Sequence, residues 1–393
     1  MMIEPKRAWK FIVLLGVVSL FADMTYEGAR SITGPFFVFL GGSAAFTGFI
    51  AGLGEFIGYA VRVVSGYFSD RSQRYWAITI AGYAVNLLAI PLLAFTHRWE
   101  TAAVLVVLER FGKAIRTPAR DVLLSHATSQ TGRGRGFGLH EAMDQIGALA
   151  GPLLVALMLY GKGGYAAAFG ILLIPALLAL GTLGAARLTF PTPEDFEPSP
   201  PPTEHAAGFP KAYWIYMGFV AASIAGYAHF QVISYHFKAA AVFSDVHIPL
   251  LFALAMAVDG VVALVAGRLF DRYGWIVLIG IPLFSIPITP LVFTKSATAA
   301  VAGIVLWGAA MGIQETVMRA GLSEMIHAHK RGLAFGLFNA VYGLAWFLGS
   351  TVMGFLYTRS LVAIIVLSIG LELVSIPILF SVRRAAKKPT ARG

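Results

Sequence analysis

The segment Gly66-Tyr67-Phe68-Ser69-Asp70-Arg71 returns later in the chain as Gly267-Arg268-Leu269-Phe270-Asp271-Arg272, with glycine, aspartate and arginine at the same spacing. Each copy stands at the polar end of a long apolar run. A second pair of matching segments runs from Phe137-Gly138-Leu139 to Gly151 and from Phe335-Gly336-Leu337 to Gly349. Between the copies, Pro191 to Pro210 form a Pro-rich acidic stretch that can neither pack nor span a membrane. The chain therefore reads as an internal duplication: an N-terminal bundle over 1–190, a cytoplasmic linker over 191–211, and a C-terminal bundle with a basic tail over 212–393. Such duplications mark proteins that hold a site at the interface between repeats.

Composition agrees with a membrane setting. Of 393 residues 58% are apolar and 13% charged, and the mean hydropathy is +0.74, which excludes a soluble globular domain. A span needs roughly 20 apolar residues. About twelve such segments start near Trp9, Ala44, Trp76, Thr101, Gly136, Gly163, Tyr213, Ile248, Trp275, Ala297, Gly332 and Leu361. The expected fold is an all-α integral membrane protein of twelve transmembrane helices in two six-helix bundles related by a pseudo-two-fold axis. The first segment carries Asp23, Glu27 and Arg30 and lacks a small-residue cleavage site, so it reads as a retained span. Of the 30 Lys and Arg residues, 20 fall in the segments on the side of the N-terminus and five in the opposite loops. That bias puts both termini in the cytoplasm and makes the net charge of +10 a topology signal, with no nucleic-acid partner expected. The absence of cysteine excludes disulfides, Cys-ligated zinc and thiol catalysis. With no Walker sequence, serine elbow or metal-hydrolase His-Glu motif, neither enzymatic turnover nor ATP use is expected.

Taken together, these residues resemble the major facilitator superfamily over nearly the whole chain. Gly66, Asp70, Arg71 and Arg74, and again Gly267, Asp271 and Arg272, resemble its loop signature, whose resemblance implies an inner gate. Physically, an aspartate at a helix end can cap a neighbouring helix, while the arginines pair with acidic groups or only mark topology. Gly138, Gly147, Gly151 and Pro152 look like the fifth-helix pattern associated with antiporters. Glycines on one face allow close helix approach, as they do in ordinary packing, and Gly151-Pro152 allows a bend. The stretch from Glu109 to Asp121 is similar to the fourth-helix region of bacterial and archaeal efflux-type permeases. The resemblance implies alternating access in the plasma membrane.

An ionisable group at mid-bilayer costs about 2.5–3.5 kcal/mol on insertion scales, so each one is a functional candidate or half of a structural pair. Asp23, Glu27 and Arg30 share a face of the first span; a Glu27–Arg30 pair would leave Asp23 to carry a proton or bind a cation. Glu55 and Arg62 lie on one face of the second span, within reach of each other's neighbours or of the fourth. In the fourth span an i, i+4 pair of Glu109 and Lys113 would free Arg110 for a carboxylate or anion. Glu141 and Asp144 follow in the fifth, with Asp144 expected against Arg110 or Arg116. The second half holds Asp259, Glu315 with Arg319, and a solitary Glu372. Tyr227, Gln231, Trp307, Gln314, Asn339 and Tyr342, with His229 and Trp346, are candidate cavity-lining residues, or else packing and interfacial ones. His229, His236 and His247 lack the spacing of a preformed metal site, and His327 and His329 read as solvated. Gly132 to Gly138 reads as the loop before the fifth span rather than a phosphate cradle.

The expectation is a secondary active transporter that exports a small molecule by proton antiport. It would act as a monomer in the bilayer, with no cofactor and with the proton gradient as energy source. Proton-coupled uptake, or uniport of an organic solute or metal ion, stays open, as does a non-transporting receptor or scaffold.

Overall fold

The computed structural model describes residues 5–131, 133–192, 209–326 and 331–387, and among them the secondary structure is helical without a strand. The first half contains α1 (Pro5–Phe39), α2 (Ala44–Ser72), α3 (Tyr75–Leu92), α4 (Trp99–Thr131), α5 (Arg133–Tyr160), α6 (Gly164–Gly170) and α7 (Leu173–Thr189). The second contains α8 (Lys211–Gly226), α9 (Phe230–Ala239), α10 (His247–Tyr273), α11 (Gly280–Ser285), α12 (Ile288–Val292), α13 (Ala297–Met325), α14 (Arg331–Tyr357) and α15 (Leu361–Lys387). Most of the linker lies outside the described residues. The stretch expected as a loop before the fifth span is instead helical from Arg133 onward, so glycine content alone did not break the helix there.

Ten described helical stretches are long and apolar enough to cross a membrane. Two features separate that number from the twelve expected. α4 carries Glu109, Arg110, Lys113, Arg116 and Arg120 along its middle, which pulls its hydropathy down. His247–Val292 counts as one stretch of 46 residues, although at 1.5 Å per residue it extends about 69 Å, twice the depth of a hydrocarbon core.

The Cα positions group into two compact units. Unit 1 is Met1–Gly41, Ile57–Pro201 and Asp245–Ala253; unit 2 is Gly42–Phe56, Pro202–Ser244 and Leu254–Gly393. In unit 1, α5 lies directly on α1: a methyl at Gly147 would sit 2.1 Å from the Leu20 carbonyl oxygen, and one at Gly151 would sit 2.2 Å from that of Met24. In unit 2 the counterpart of Gly151 does the same, a methyl at Gly349 of α14 falling 2.3 Å from the Ala225 carbonyl oxygen of α8. Gly66 of α2 faces Pro118 of α4, and Gly267 of α10 faces Thr316 of α13, both at 3.6 Å. The N-terminal part of α2 packs within unit 2 by the same device, with Gly48 and Gly52 against Ser350, Gly354 and Phe347 of α14. With no hydrophobic drive between helices in lipid, such backbone proximity is what holds them. Substituting Gly151 by alanine should therefore lower the stability of the detergent-purified protein by about 1–3 kcal/mol, whereas Gly184→Ala, whose methyl meets nothing within 4 Å, should leave the melting temperature unchanged.

Candidate functional site

The α1 residues Ser19, Asp23, Tyr26, Glu27 and Arg30 recur every three or four positions, so one face of an apolar helix is polar. All five are buried within unit 1, where α1 meets α4 and α5. The Tyr26 hydroxyl donates a hydrogen bond to Asp23 Oδ1. Arg30 Nη1 lies 3.4 Å from Glu27 Oε1, the pair expected from the sequence. Gly147 of α5 packs on Asp23, its missing methyl only 3.0 Å from Asp23 Cβ. Two of the fifth-helix glycines therefore press on the acidic face of α1, with Pro152 buried beside them. Gly138 is helical, and its surroundings lie outside the described residues.

From α4 come the cations. Lys113 Nζ sits 3.7 Å from the centroid of the Tyr26 ring and is electrostatically close to Glu27 and Asp23. Arg116, 1% exposed, stacks its guanidinium 4.0 Å above the Tyr83 ring, and its Nε and Nη1 have no hydrogen-bond partner among the described residues. Cation–π contact is strongest where water is excluded, so these rings hold charge that no single carboxylate neutralises.

Two sequence-based pairings are corrected. Glu109 bonds not Lys113 but its neighbour Arg110, at 3.1 Å, and accepts from Asn86 Nδ2 of α3 at 2.8 Å. Asp144 is not placed against Arg110 or Arg116: His140 Nδ1 lies 3.4 Å from it, with Ser19 and Arg120 as further neighbours. Arg120 in turn bonds Asp121 at 2.7 Å and Ser19 at 3.3 Å. Arg110 and His140 win because the packed helices draw Lys113 over the Tyr26 ring and Arg116 over that of Tyr83. Tyr26, Tyr83, Asn86 and His140 were missed. Their signal was present, as polar groups inside apolar helices, one turn from a carboxylate in the case of Tyr26 and His140.

The remaining candidates are spread out. Glu55 pairs with His229 Nε2 at 3.7 Å within unit 2, and Arg62 lies over the Tyr59 ring at 4.9 Å. Glu141 is exposed. Asp259 is buried on α10 against Gly312, its Oδ1 3.0 Å from where a methyl would stand. Tyr227 and Trp307 stack at 5.4 Å and give their polar hydrogens to main-chain carbonyls, of Trp307 and Ala228 respectively, so they pack the fold. Tyr342 sits edge-on to Trp346, Gln231 is buried, and Asn339 is half-buried. Gln314, also buried, has no partner for either amide atom among the described residues. Of the gate residues, Arg71, Arg74, Asp271 and Arg272 are exposed, and Arg71 bonds the Tyr67 hydroxyl. The Asp70 side chain, His327 and His329 lie outside the described residues. His236 bonds Tyr357 at 2.9 Å, apart from His229, and His247 is exposed at the start of α10.

Comparison with known proteins gives one family. The profile described as Major Facilitator Superfamily matches residues 15–350 and 212–393. The uncharacterized protein Rv2265 of Mycobacterium tuberculosis is 41% identical over 98% of this chain and 95% of its own length. The uncharacterized MFS-type transporter MJ1317 of Methanocaldococcus jannaschii is 27% identical over 89% of each chain. Among solved structures, the nucleoside transporter NupG superposes with a TM-score of 0.70 at 14% identity, covering 96% of this chain and 100% of that one. The peptide transporter POT in complex with sulfate gives 0.70 at 13% identity over 96% of both chains. A bacterial homologue of the lysosomal transporter Spinster gives 0.69 at 15% over 98% of this chain and 96% of that one.

Because Tyr26 bonds Asp23 and carries Lys113 on its ring, Tyr26→Phe should cost about 1–3 kcal/mol by leaving a buried carboxylate oxygen unbonded. A double-mutant cycle with Asp23→Asn, read by thermal unfolding, should give a coupling energy of about 0.5–3 kcal/mol rather than additive effects.

Proposed function

The chain belongs to the Major Facilitator Superfamily, and we propose that it is a secondary active transporter that exports a small organic solute in exchange for protons. It is a multi-pass membrane protein of a transport family. In the proposed topology twelve segments cross the plasma membrane, α4 being one and His247–Val292 supplying two, with both ends in the cytoplasm. The basic-residue bias and the two repeated loop motifs support it.

The observation that carries proton coupling is the position of Asp23. The residue is buried against Gly147, its carboxylate bonded by Tyr26 and balanced by Lys113 across the same aromatic ring. Protonating Asp23 removes one charge from this set and leaves Lys113 with Glu27, which Arg30 already engages. A cluster whose charge balance changes by one on proton binding has two states of different helix contact, which alternating access requires. The close α1–α5 seam at Gly147 and Gly151 transmits that change to the helix pair. The fifth-helix glycines favour antiport over symport. For the solute, Gln314 offers an unclaimed donor and acceptor, and α14 separately offers the aromatic pair of Tyr342 and Trp346, groups suited to a moderately apolar compound.

The test is proton movement in proteoliposomes under an imposed pH gradient, challenged with organic cations, organic acids and divalent metals. One compound class should dissipate the gradient with the wild-type protein, outward in the sense of antiport. Asp23→Asn should behave like empty liposomes. Flux that equals wild type in both Asp23→Asn and Glu27→Gln would remove α1 from the coupling step.

A further inference from the structure

The second half contains a carboxylate that the proposed proton pathway does not use. Glu372 of α15 is 0% exposed. Its Oε2 accepts from Ser223 of α8 at a long 3.4 Å, and its Oε1 has no partner among the described residues. Ser285, at the end of α11, approaches the same carboxyl without completing a hydrogen bond, and its Oγ is likewise without a partner among the described residues. One turn further on, the Thr289 hydroxyl of α12 is buried and unpartnered as well. The other hydroxyls nearby are spoken for, Ser368 by the Gly226 carbonyl and Ser375 by that of Glu372, both at 2.7 Å. The hydroxyls of Ser223 and Ser285 thus approach one buried carboxyl and leave its Oε1 unbonded among the described residues.

Three further features narrow the ligand. The groups acting on the carboxylate are hydroxyls, and no cationic side chain is among them. A lone buried charge is expensive unless something neutralises it, and one negative charge among neutral oxygens is balanced by a monovalent ion, whereas a divalent ion would leave a net buried charge. The neighbouring hydrogen-bond ladder is interrupted while the backbone stays helical: α11 stops at Ser285, α12 starts at Ile288, and Pro287 has no N–H to offer the Leu283 carbonyl. Interrupted membrane helices are where main-chain carbonyls become available to alkali cations. Packing is tight, since a methyl at Gly226 would meet the Ser368 carbonyl oxygen at 3.1 Å and Glu372 Cγ at 3.2 Å, which favours a small ion.

We propose that Glu372, Ser223 and Ser285 form a sodium-binding site between α8, α11 and α15, distinct from the α1 carboxylates. The detergent-purified full-length protein, followed by tryptophan fluorescence on heating, tests it. NaCl titrated against choline chloride at constant ionic strength should raise the melting temperature saturably, as binding to the folded state alone requires, and KCl should not. Glu372→Gln, close in shape, should abolish the response, and Ser285→Ala should move it about tenfold higher in NaCl, as expected for loss of one neutral oxygen ligand. Asp23→Asn should retain it, so failure here and failure of the proton pathway are told apart. Should Glu372→Gln not purify, radiolabelled sodium bound by the wild type and reduced by Ser285→Ala serves in its place. Equal responses to sodium, potassium and choline, or a sodium response kept by Glu372→Gln, overturn the site and leave Glu372 neutralised by a proton alone.

Discussion

A charged side chain inside a bilayer must find a partner within the protein, because neither water nor lipid will supply one. The first half of this chain depends on that constraint. Asp23 and Glu27 on α1, Glu109, Arg110, Lys113 and Arg116 on α4, and Asp144 on α5 each meet a partner inside the protein, among them Tyr26, Arg30, Asn86, His140 and the ring of Tyr83. The glycines follow from the same need. Gly147 and Gly151 bring α5 onto the α1 backbone, and Gly82 and Gly112 bring α4 onto α3, so that short side chains reach one another.

The two halves share this packing and differ in chemistry. α5 on α1 and α14 on α8 meet through a glycine against a carbonyl, at 2.2 and 2.3 Å from the hypothetical methyl. In the first half the space so made is filled with ion pairs. In the second it is filled with aromatic stacks around Trp307 and Trp346, and with hydroxyls around Glu372.

The helical membrane fold was legible because the bilayer leaves few alternatives: long apolar runs leave little besides packed helices. At α4 the hydropathy is low because charged residues concentrate along the middle of one helix. In the site, Glu27 with Arg30 was readable because both lie on one face a turn apart. The partners of Glu109 and Asp144 were not, since each had several cations within helical reach and only the packed geometry chooses Arg110 and His140. Tyr227 and Trp307 looked like ligand contacts by residue type, yet their donors are consumed by the backbone at chain breaks that no periodicity announces. The unpartnered oxygens around Glu372 were invisible for the converse reason, since serine and threonine in membrane helices normally bond their own carbonyls.

The most direct test of whether Asp23 titrates within an otherwise fixed lattice needs no substrate. Infrared difference spectra of the purified protein, recorded as the pH is stepped, resolve the carbonyl stretch of individual protonated carboxyl groups. A carboxyl band should appear and vanish across the titration in wild-type protein and be missing from Asp23→Asn, with a shifted frequency in Tyr26→Phe, where the hydrogen bond to Asp23 is lost. A titrating band that persists unchanged in Asp23→Asn, or no band at any pH, would mean that Asp23 is a static strut and that coupling resides elsewhere.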